Sequence, residues 1–238
     1  MRLDKFLSSC GAGSRKDIKQ LIKHKAVTVN GIVAKDSSVH IDETSDVVTI
    51  NGKEYKYREF IYLMLNKPQG YVSATYDKHL PIVCDLISEE YSHFEAFPVG
   101  RLDIDTEGLL VLTNDGALAH RVLSPKNHVD KTYFVRCKNP LYPGDISSFA
   151  EGVTLDDGYK TMPAKLTINE DPRECTLIIQ EGKFHQVKRM MEAIENEVVF
   201  LKRIKMGGLC LDPGLALGEI RELTNEEVKL LEVKSTEV

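Results

Sequence analysis

The sequence predicts an α+β protein in two parts, a small helix-turn-helix plus sheet domain over residues 1–58 and a larger mixed sheet with flanking helices over 59–238. Three observations carry that reading. Apolar residues recur with helical period over the first 23 positions and then switch to β-prone runs that end twice in Asn-Gly. From residue 60 onwards strand and helix patterns mix without a regular βαβ alternation. There is also no Gly-rich phosphate loop, which speaks against a Rossmann or P-loop domain.

Taken in order, Leu3, Phe6 and Leu7 share one helical face, and Gly11 and Gly13 break the pattern. Ser14 with Asp17 three residues later reads as a capping box that opens a second helix. Its apolar side is Ile18, Leu21 and Ile22, while Lys16, Lys19 and Lys23 occupy another face. Val27–Val29 runs into Asn30-Gly31 and Val47–Ile50 into Asn51-Gly52, two tight hairpin signals. The second part opens with an apolar strand at Ile61–Leu65, stopped by a turn at Asn66-Lys67-Pro68-Gln69-Gly70. Further strands are predicted at 109–113, 132–136 and 175–180, and helices near 116–123, 143–150, 185–195 and 225–232. Thr224 with Glu227 caps the last of these, and residues 232–238 are expected to fray.

The five cysteines lie far apart, the nearest pair being Cys175 and Cys210 at 35 residues, so neither a zinc pair nor a disulfide framework fits. No stretch approaches the roughly 18 apolar residues of a membrane span. A reducing, cytoplasmic setting and no membrane partner are expected. The formal charge of −5 argues at first against nucleic acid. That average conceals an asymmetry, because residues 1–35 hold eight basic side chains against Asp4 and Asp17. A lysine stripe on one helix is ordinarily a solvated face; eight cations on and just after two short helices favour phosphate contact. Lys183, Lys188, Arg189, Lys202, Arg203 and Lys205 form a second basic run, so two basic patches are expected beside the site developed below.

Three segments have the residue types for chemistry. Phe97–Gly116 places Arg101, Asp103, Asp105, Glu107 and Asp115 around an apolar strand; the bland alternative is that its carboxylates cap turns. In Lys131-Thr132-Tyr133-Phe134-Val135, alternation puts Lys131, Tyr133 and Val135 on one strand face, where a tyrosine is usually packing. In Glu181–Met191, the stripe Val187, Met190, Met191 and Ile194 is core. At about 100° per residue, Lys188 falls on its border and can lean into a cleft, whereas Arg189 faces RNA or solvent. His185, near a helix start, reads as a hydrogen-bonded cap or a base.

Residues 2–31 (RLDKFLSSCGAGSRKDIKQLIKHKAVTVNG) resemble the S4 RNA-binding module. Followed in order by NKPQG, GRLDIDTEGLLVLTNDG, KTY and EGKFHQVKRM, they make the whole chain resemble the RsuA family of rRNA pseudouridine synthases. The resemblance implies a mainly antiparallel synthase sheet and catalytic residues Asp103, Tyr133 and Lys188, with Tyr133 stacking on the target base and Lys188 pairing with Asp103. It implies RNA contacts from Arg2, Lys5, Arg15, Lys16 and Lys19, an extruded nucleotide held by Arg101, and further contacts from Lys183 and Arg189. A lysine at position 188 keeps the charge and gives up bidentate geometry.

Converting uridine to pseudouridine breaks the N1 glycosidic bond, turns the uracil and joins C5 to the same sugar carbon. That isomerisation needs no water, redox partner or energy donor, so no cofactor and no metal are expected. The partner implied is ribosomal RNA, and the LNKPQGYVSAT and EGKFHQVKRM segments look closest to the type acting on 16S rRNA at the uridine-516 site. Unassembled or partly assembled small-subunit RNA is the expected substrate, because a base must leave its stack to be reached, and the protein is expected to be a monomer. The alternatives are a large-subunit (23S) enzyme of the same family and an S4-type assembly protein with a silent second domain. A tRNA synthetase carrying an S4 module would need an ATP site, and no such signature is present.

Overall fold

A computed structural model describes residues 1–233. The chain forms two compact units, Met1–Ile61 together with Ser88–Ala96, and Tyr62–Ile87 together with the chain from Phe97 onwards. Residues 88–96 thus return to the first unit, an excursion that a single cut after residue 58 does not contain. The expected fraying of 232–238 falls, from residue 234, outside the described residues.

In the first unit, helix α1 (Leu3–Ser9) precedes α2 (Arg15–Lys23). The Ser14 hydroxyl accepts from the Asp17 amide while Asp17 accepts from the Ser14 amide, so the capping box forms in both directions. Strands β1 (Val27–Val29), β2 (Ile32–Val33), β3 (Val48–Ile50) and β4 (Lys53–Tyr55) make an antiparallel sheet in the order β2-β1-β3-β4. Both Asn-Gly turns have positive φ at each residue, as tight hairpins of this kind require. Leu3, Phe6, Leu7, Ile18, Ile22, Val27, Val48 and Ile50 close one core between helices and sheet. The returning segment carries a short helix, α3 (Glu89–Ser92), and sets His93 against Gly11. Gly11 has φ +74°, and a Cβ there would stand 2.7 Å from the His93 Nδ1, so a larger residue would be strained and would displace the imidazole.

The second unit is a nine-stranded sheet. Its strands are β5 (Tyr62–Lys67), β6 (Phe97–Pro98), β7 (Glu107–Thr113), β8 (Lys131–Cys137), β9 (Lys165–Ile168), β10 (Glu174–Ile179), β11 (Val198–Met206), β12 (Leu209–Cys210) and β13 (Ile220–Glu222). The order is β13-β5-β7-β11-β8-β10-β9, with β6 on β7 and β12 on β11. Every pairing is antiparallel except that of β7 with β11, which matches the expected mainly antiparallel sheet. Helices α4 (Gly116–Leu123), α5 (Pro143–Glu151), α6 (Gln186–Glu192) and α7 (Asn225–Leu230) flank it. Strands β5 and β7 are buried almost throughout, which is why they read as continuous apolar runs rather than alternating ones. Met64, Val99, Leu109, Val111, Leu118, Val122 and Met206 form the core under α4.

Strand β11, the link between β7 and β8, is one of five strands of this sheet, with β6, β9, β12 and β13, that the sequence reading does not anticipate. Its sequence, VVFLKRIKM, reads locally as part of a basic run, but alternation sends Arg203 inward to 2% exposure. There its Nε donates to the Leu109 carbonyl at 2.8 Å. Arg203 pairs with Gly108 across the parallel junction, where a Cβ on Gly108 would come 2.2 Å from the Arg203 carbonyl oxygen. Glycine is what lets these two strands close. Among the described residues no helix is long and apolar enough to cross a membrane.

Candidate active site

Lys67 ends β5 and is wholly buried. Its ammonium donates to the carbonyls of Pro68 (3.1 Å), Asp103 (3.0 Å) and Thr106 (2.9 Å). The Gly70 amide donates to the Ile104 carbonyl at 2.7 Å. Ser73 brackets Leu102, its hydroxyl donating to that carbonyl at 2.9 Å and accepting from that amide at 3.1 Å. The Asn-Lys-Pro-Gln-Gly turn therefore grips the loop 102–106 that carries Asp103. Burial pushes the Lys67 ammonium down to about 8, although Asp105, Asp103 and Glu107 oppose the shift.

Asp103 faces a cavity of about 670 Å³ lined also by Arg101, Lys131, Tyr133, Lys183 and His185. That volume lies in the usual range for a small-molecule or nucleotide pocket. Tyr133 reaches it from β8 at 7% exposure, with Lys131 two residues away on the same face and Arg203 opposite on β11. Lys131 is also buried; its ammonium donates to the Val129 and Gln180 carbonyls. Burial, reinforced by the Arg203 charge, lowers it to about 8.

Lys188 leans from α6 towards the loop, as its position beside the apolar stripe predicts. Its Nζ lies 3.4 Å from Asp103 Oδ2 and closer to Asp105, at 2.6 and 2.8 Å from the two carboxylate oxygens. The pairing expected with Asp103 alone is thus shared with Asp105. Burial would raise the Asp105 carboxyl, but the Lys188 hydrogen bond and charge prevail and hold it below the ordinary range.

The turn before α6 is fixed by buried Glu181. It accepts from the Tyr159 hydroxyl at 2.7 Å, the Met162 amide at 3.0 Å and the Gln186 amide nitrogen at 2.7 Å. Lys183 stands over the Tyr159 ring at 4.6 Å. His185 is the N-terminal boundary residue of α6, yet its side chain makes no capping bond; instead Nε2 lies 3.7 Å from Asp103 Oδ1. Asp115 does what the bland reading of its segment says, capping α4 through the Leu118 amide and accepting from the Tyr62 hydroxyl.

The sites suggested for RNA contact divide. Arg2, Lys5, Arg15, Lys16 and Lys19 are exposed on the first unit, with Arg2 bonded through two nitrogens to Asp4. Arg101 and Lys183 are exposed at the cavity. Arg189 is a correction to the expectation that it faces RNA or solvent: it is half-buried and ion-paired with Asp156 and Asp157, which satisfy its charge within the fold. With Arg203 buried and Arg189 paired, the expected second basic patch is much reduced. Sequence reasoning missed Lys67, Asp105 as partner of Lys188, and Lys131 at the cavity wall. Among the described residues no group of three or more His, Cys, Asp or Glu side chains could hold a metal ion.

A carboxylate beside an ammonium, at the wall of a base-sized cavity with a tyrosine ring, can act on a sugar carbon or a sugar proton while a flat base stays held. A model of the RNA pseudouridylate synthase family matches residues 61–193, and an S4 domain model matches residues 1–48. The chain is therefore a pseudouridine synthase, an isomerase preceded by an S4 domain, and within that class it belongs to the RsuA family. It is 54% identical over 97% of its length to 98% of a Bacillus subtilis protein named uncharacterized RNA pseudouridine synthase YtzG. It is 42% identical to the ribosomal small subunit pseudouridine synthase A of Yersinia pestis (96% of this chain, 97% of that protein). The protein of the same name from Escherichia coli strain K12 is 40% identical (96% and 98%). A solved structure described as a pseudouridylate synthase superposes with a TM-score of 0.69 at 38% identity, covering 97% of this chain and 99% of that one.

Proposed function

We propose that this chain converts one uridine of ribosomal RNA to pseudouridine, that the RNA is 16S rRNA at the uridine-516 type of site, and that Asp103 is the catalytic carboxylate. The observation that carries this is the placement of Asp103 at the wall of the cavity with Tyr133, within 3.4 Å of the Lys188 ammonium. The relatives named as small-subunit synthases support the choice of RNA. The S4 unit, with Lys5, Arg15, Lys16 and Lys19 exposed, supplies sequence-independent grip on phosphates.

In this reading the uridine is extruded from its stack into the cavity and its base lies against Tyr133. The carboxylate of Asp103 either attacks the sugar carbon or removes the neighbouring sugar proton, and the N1 glycosidic bond breaks with its electron pair going to the base. The uracil turns while held on the tyrosine ring, and C5 bonds to the same sugar carbon, displacing the Asp103 carboxylate on the first route or, on the second, as Asp103 returns its proton to the neighbouring sugar carbon. The C5 proton then leaves and N1 gains one, so the product is an isomer and nothing is consumed. Lys188 sets its ammonium 3.4 Å from the Asp103 carboxylate, and Lys67 holds the loop so that the carboxylate points at the sugar.

Extrusion requires RNA that is not locked in a finished helix, so unassembled or partly assembled small-subunit RNA is the substrate and the mature subunit is not. Incubating each with the protein and mapping pseudouridine by carbodiimide-blocked primer extension tests both the site and the assembly state. Equal rates on the free RNA and the mature subunit would contradict the second part.

A further inference from the structure

The Phe184 ring is 70% exposed. A single exposed aromatic is ordinary on a protein surface, but this one has three uncommon properties. It is stacked on the neighbouring His185 imidazole with centroids 3.7 Å apart and planes at 18°. His185 has φ +48°, in the left-handed region that non-glycine residues rarely occupy, and its Nε2 lies 3.7 Å from Asp103 Oδ1. Both rings border the Asp103 cavity, beside the exposed cations Arg101 and Lys183.

The loop does not need Phe184 for its own order. Glu181 and Gln186, both buried, carry the hydrogen bonds that fix it, and the Gln186 side-chain oxygen accepts from the Lys183 amide at 2.8 Å. The phenyl ring is therefore held outward, stacked on His185 and largely exposed, at the edge of the cavity that the cations Arg101 and Lys183 also line, where a polyanionic strand would be attracted. When one base leaves its stack, its neighbour loses a stacking partner, and an exposed aromatic beside the cavity can replace it.

We propose that Phe184, backed by His185, is a stacking platform for the unpaired base next to the target uridine and helps to set which sequence context is modified. The inference rests on the reading that the Asp103 cavity receives the uridine. Base-on-aromatic stacking is worth about five-fold to a hundred-fold in affinity per base, so the effect belongs in KM rather than kcat.

The test compares wild type, Phe184→Tyr and Phe184→Leu on a mixture of unmodified small-subunit and large-subunit rRNA transcripts, measuring kcat and KM. A second measurement places 2-aminopurine on either side of the mapped uridine and follows its fluorescence on binding to the Asp103→Asn protein with Phe, Tyr or Leu at position 184. The platform predicts a KM raised at least about five-fold in Phe184→Leu, near wild type in Phe184→Tyr. It also predicts quenching of one of the two probes that the leucine abolishes and the tyrosine keeps. Leucine equal to phenylalanine in KM, or quenching of neither probe, overturns the proposal. Turnover by Asp103→Asn would instead overturn the catalytic reading, and the fluorescence measurement separates the two failures.

Discussion

Lys188 is bonded more closely to Asp105 than to Asp103: its Nζ lies 2.6 and 2.8 Å from the two Asp105 oxygens and 3.4 Å from Asp103 Oδ2. Asp105 is the more exposed of the two carboxylates, at 58% against 27% for the side chain. In the proposed mechanism Asp105 parks the ammonium and Asp103 reacts. Asp105→Asn should release Lys188 towards Asp103 and change kcat by less than about ten-fold, whereas Lys188→Met should lower it on the order of a hundred-fold or more. Steady-state pseudouridine formation by each variant checks this. A larger loss from Asp105→Asn than from Asp103→Asn would exchange their roles.

Lys67 bears on the same loop from beneath. Lys67→Met leaves the carbonyls of Pro68, Asp103 and Thr106 without their shared donor. The expected cost is about 1–3 kcal/mol of stability, read by urea denaturation. Activity should fall through kcat more than KM, because the loop that aims Asp103 loosens while the RNA-gripping surface stays intact.

The buried lysines give the protein a stability gradient in alkali. Lys67 and Lys131 titrate at about 8 in the fold and at 10.5 ordinarily. Between those values the unfolded chain holds protons that the folded chain has released, so stability from these groups rises with pH across the window. Below pH 8 both forms are charged and folding bears the cost of burial; above 10.5 both are neutral. The urea midpoint of wild type should therefore gain on that of Lys131→Met between pH 8 and pH 10. A constant difference would show that Lys131 titrates alike in both states.

The charged face of the first unit should appear in salt dependence. Replacing Arg15, Lys16 and Lys19 together by alanine removes up to three phosphate contacts, so the slope of log affinity against log salt should flatten by about 2 to 3. Filter binding to an rRNA transcript at several salt concentrations measures it. An unchanged slope would place the RNA elsewhere.

The sequence made most of the frame legible because local signals there agree with tertiary fate. The Ser14–Asp17 and Thr224–Glu227 boxes cap the helices that they announce, and the Asn-Gly pairs turn the hairpins. Asp103, Tyr133 and Lys188 could be named from motifs, and the fold gathers them around one cavity and loop. What stayed hidden depends on tertiary partners. Lys67 reads as part of a turn because three of its four carbonyl acceptors are supplied by a loop almost 40 residues away. Strand β11 looked like a charged run because nothing local says that Arg203 lies under a glycine on a neighbouring strand. Arg189 looked free because Asp156 and Asp157, more than 30 residues earlier, pair with it only after folding.

The central claim is that the Asp103 carboxylate performs the isomerisation, and Asp103→Asn tests it with the least change in shape. Unmodified small-subunit and large-subunit rRNA transcripts are incubated with wild type or variant, and pseudouridine is mapped by carbodiimide-blocked primer extension. The account predicts one strong stop with wild type, in the small-subunit RNA, and a loss of at least about a thousand-fold in rate with Asp103→Asn while RNA binding persists. An Asp103→Asn protein that still produces the stop at a rate near wild type would contradict it.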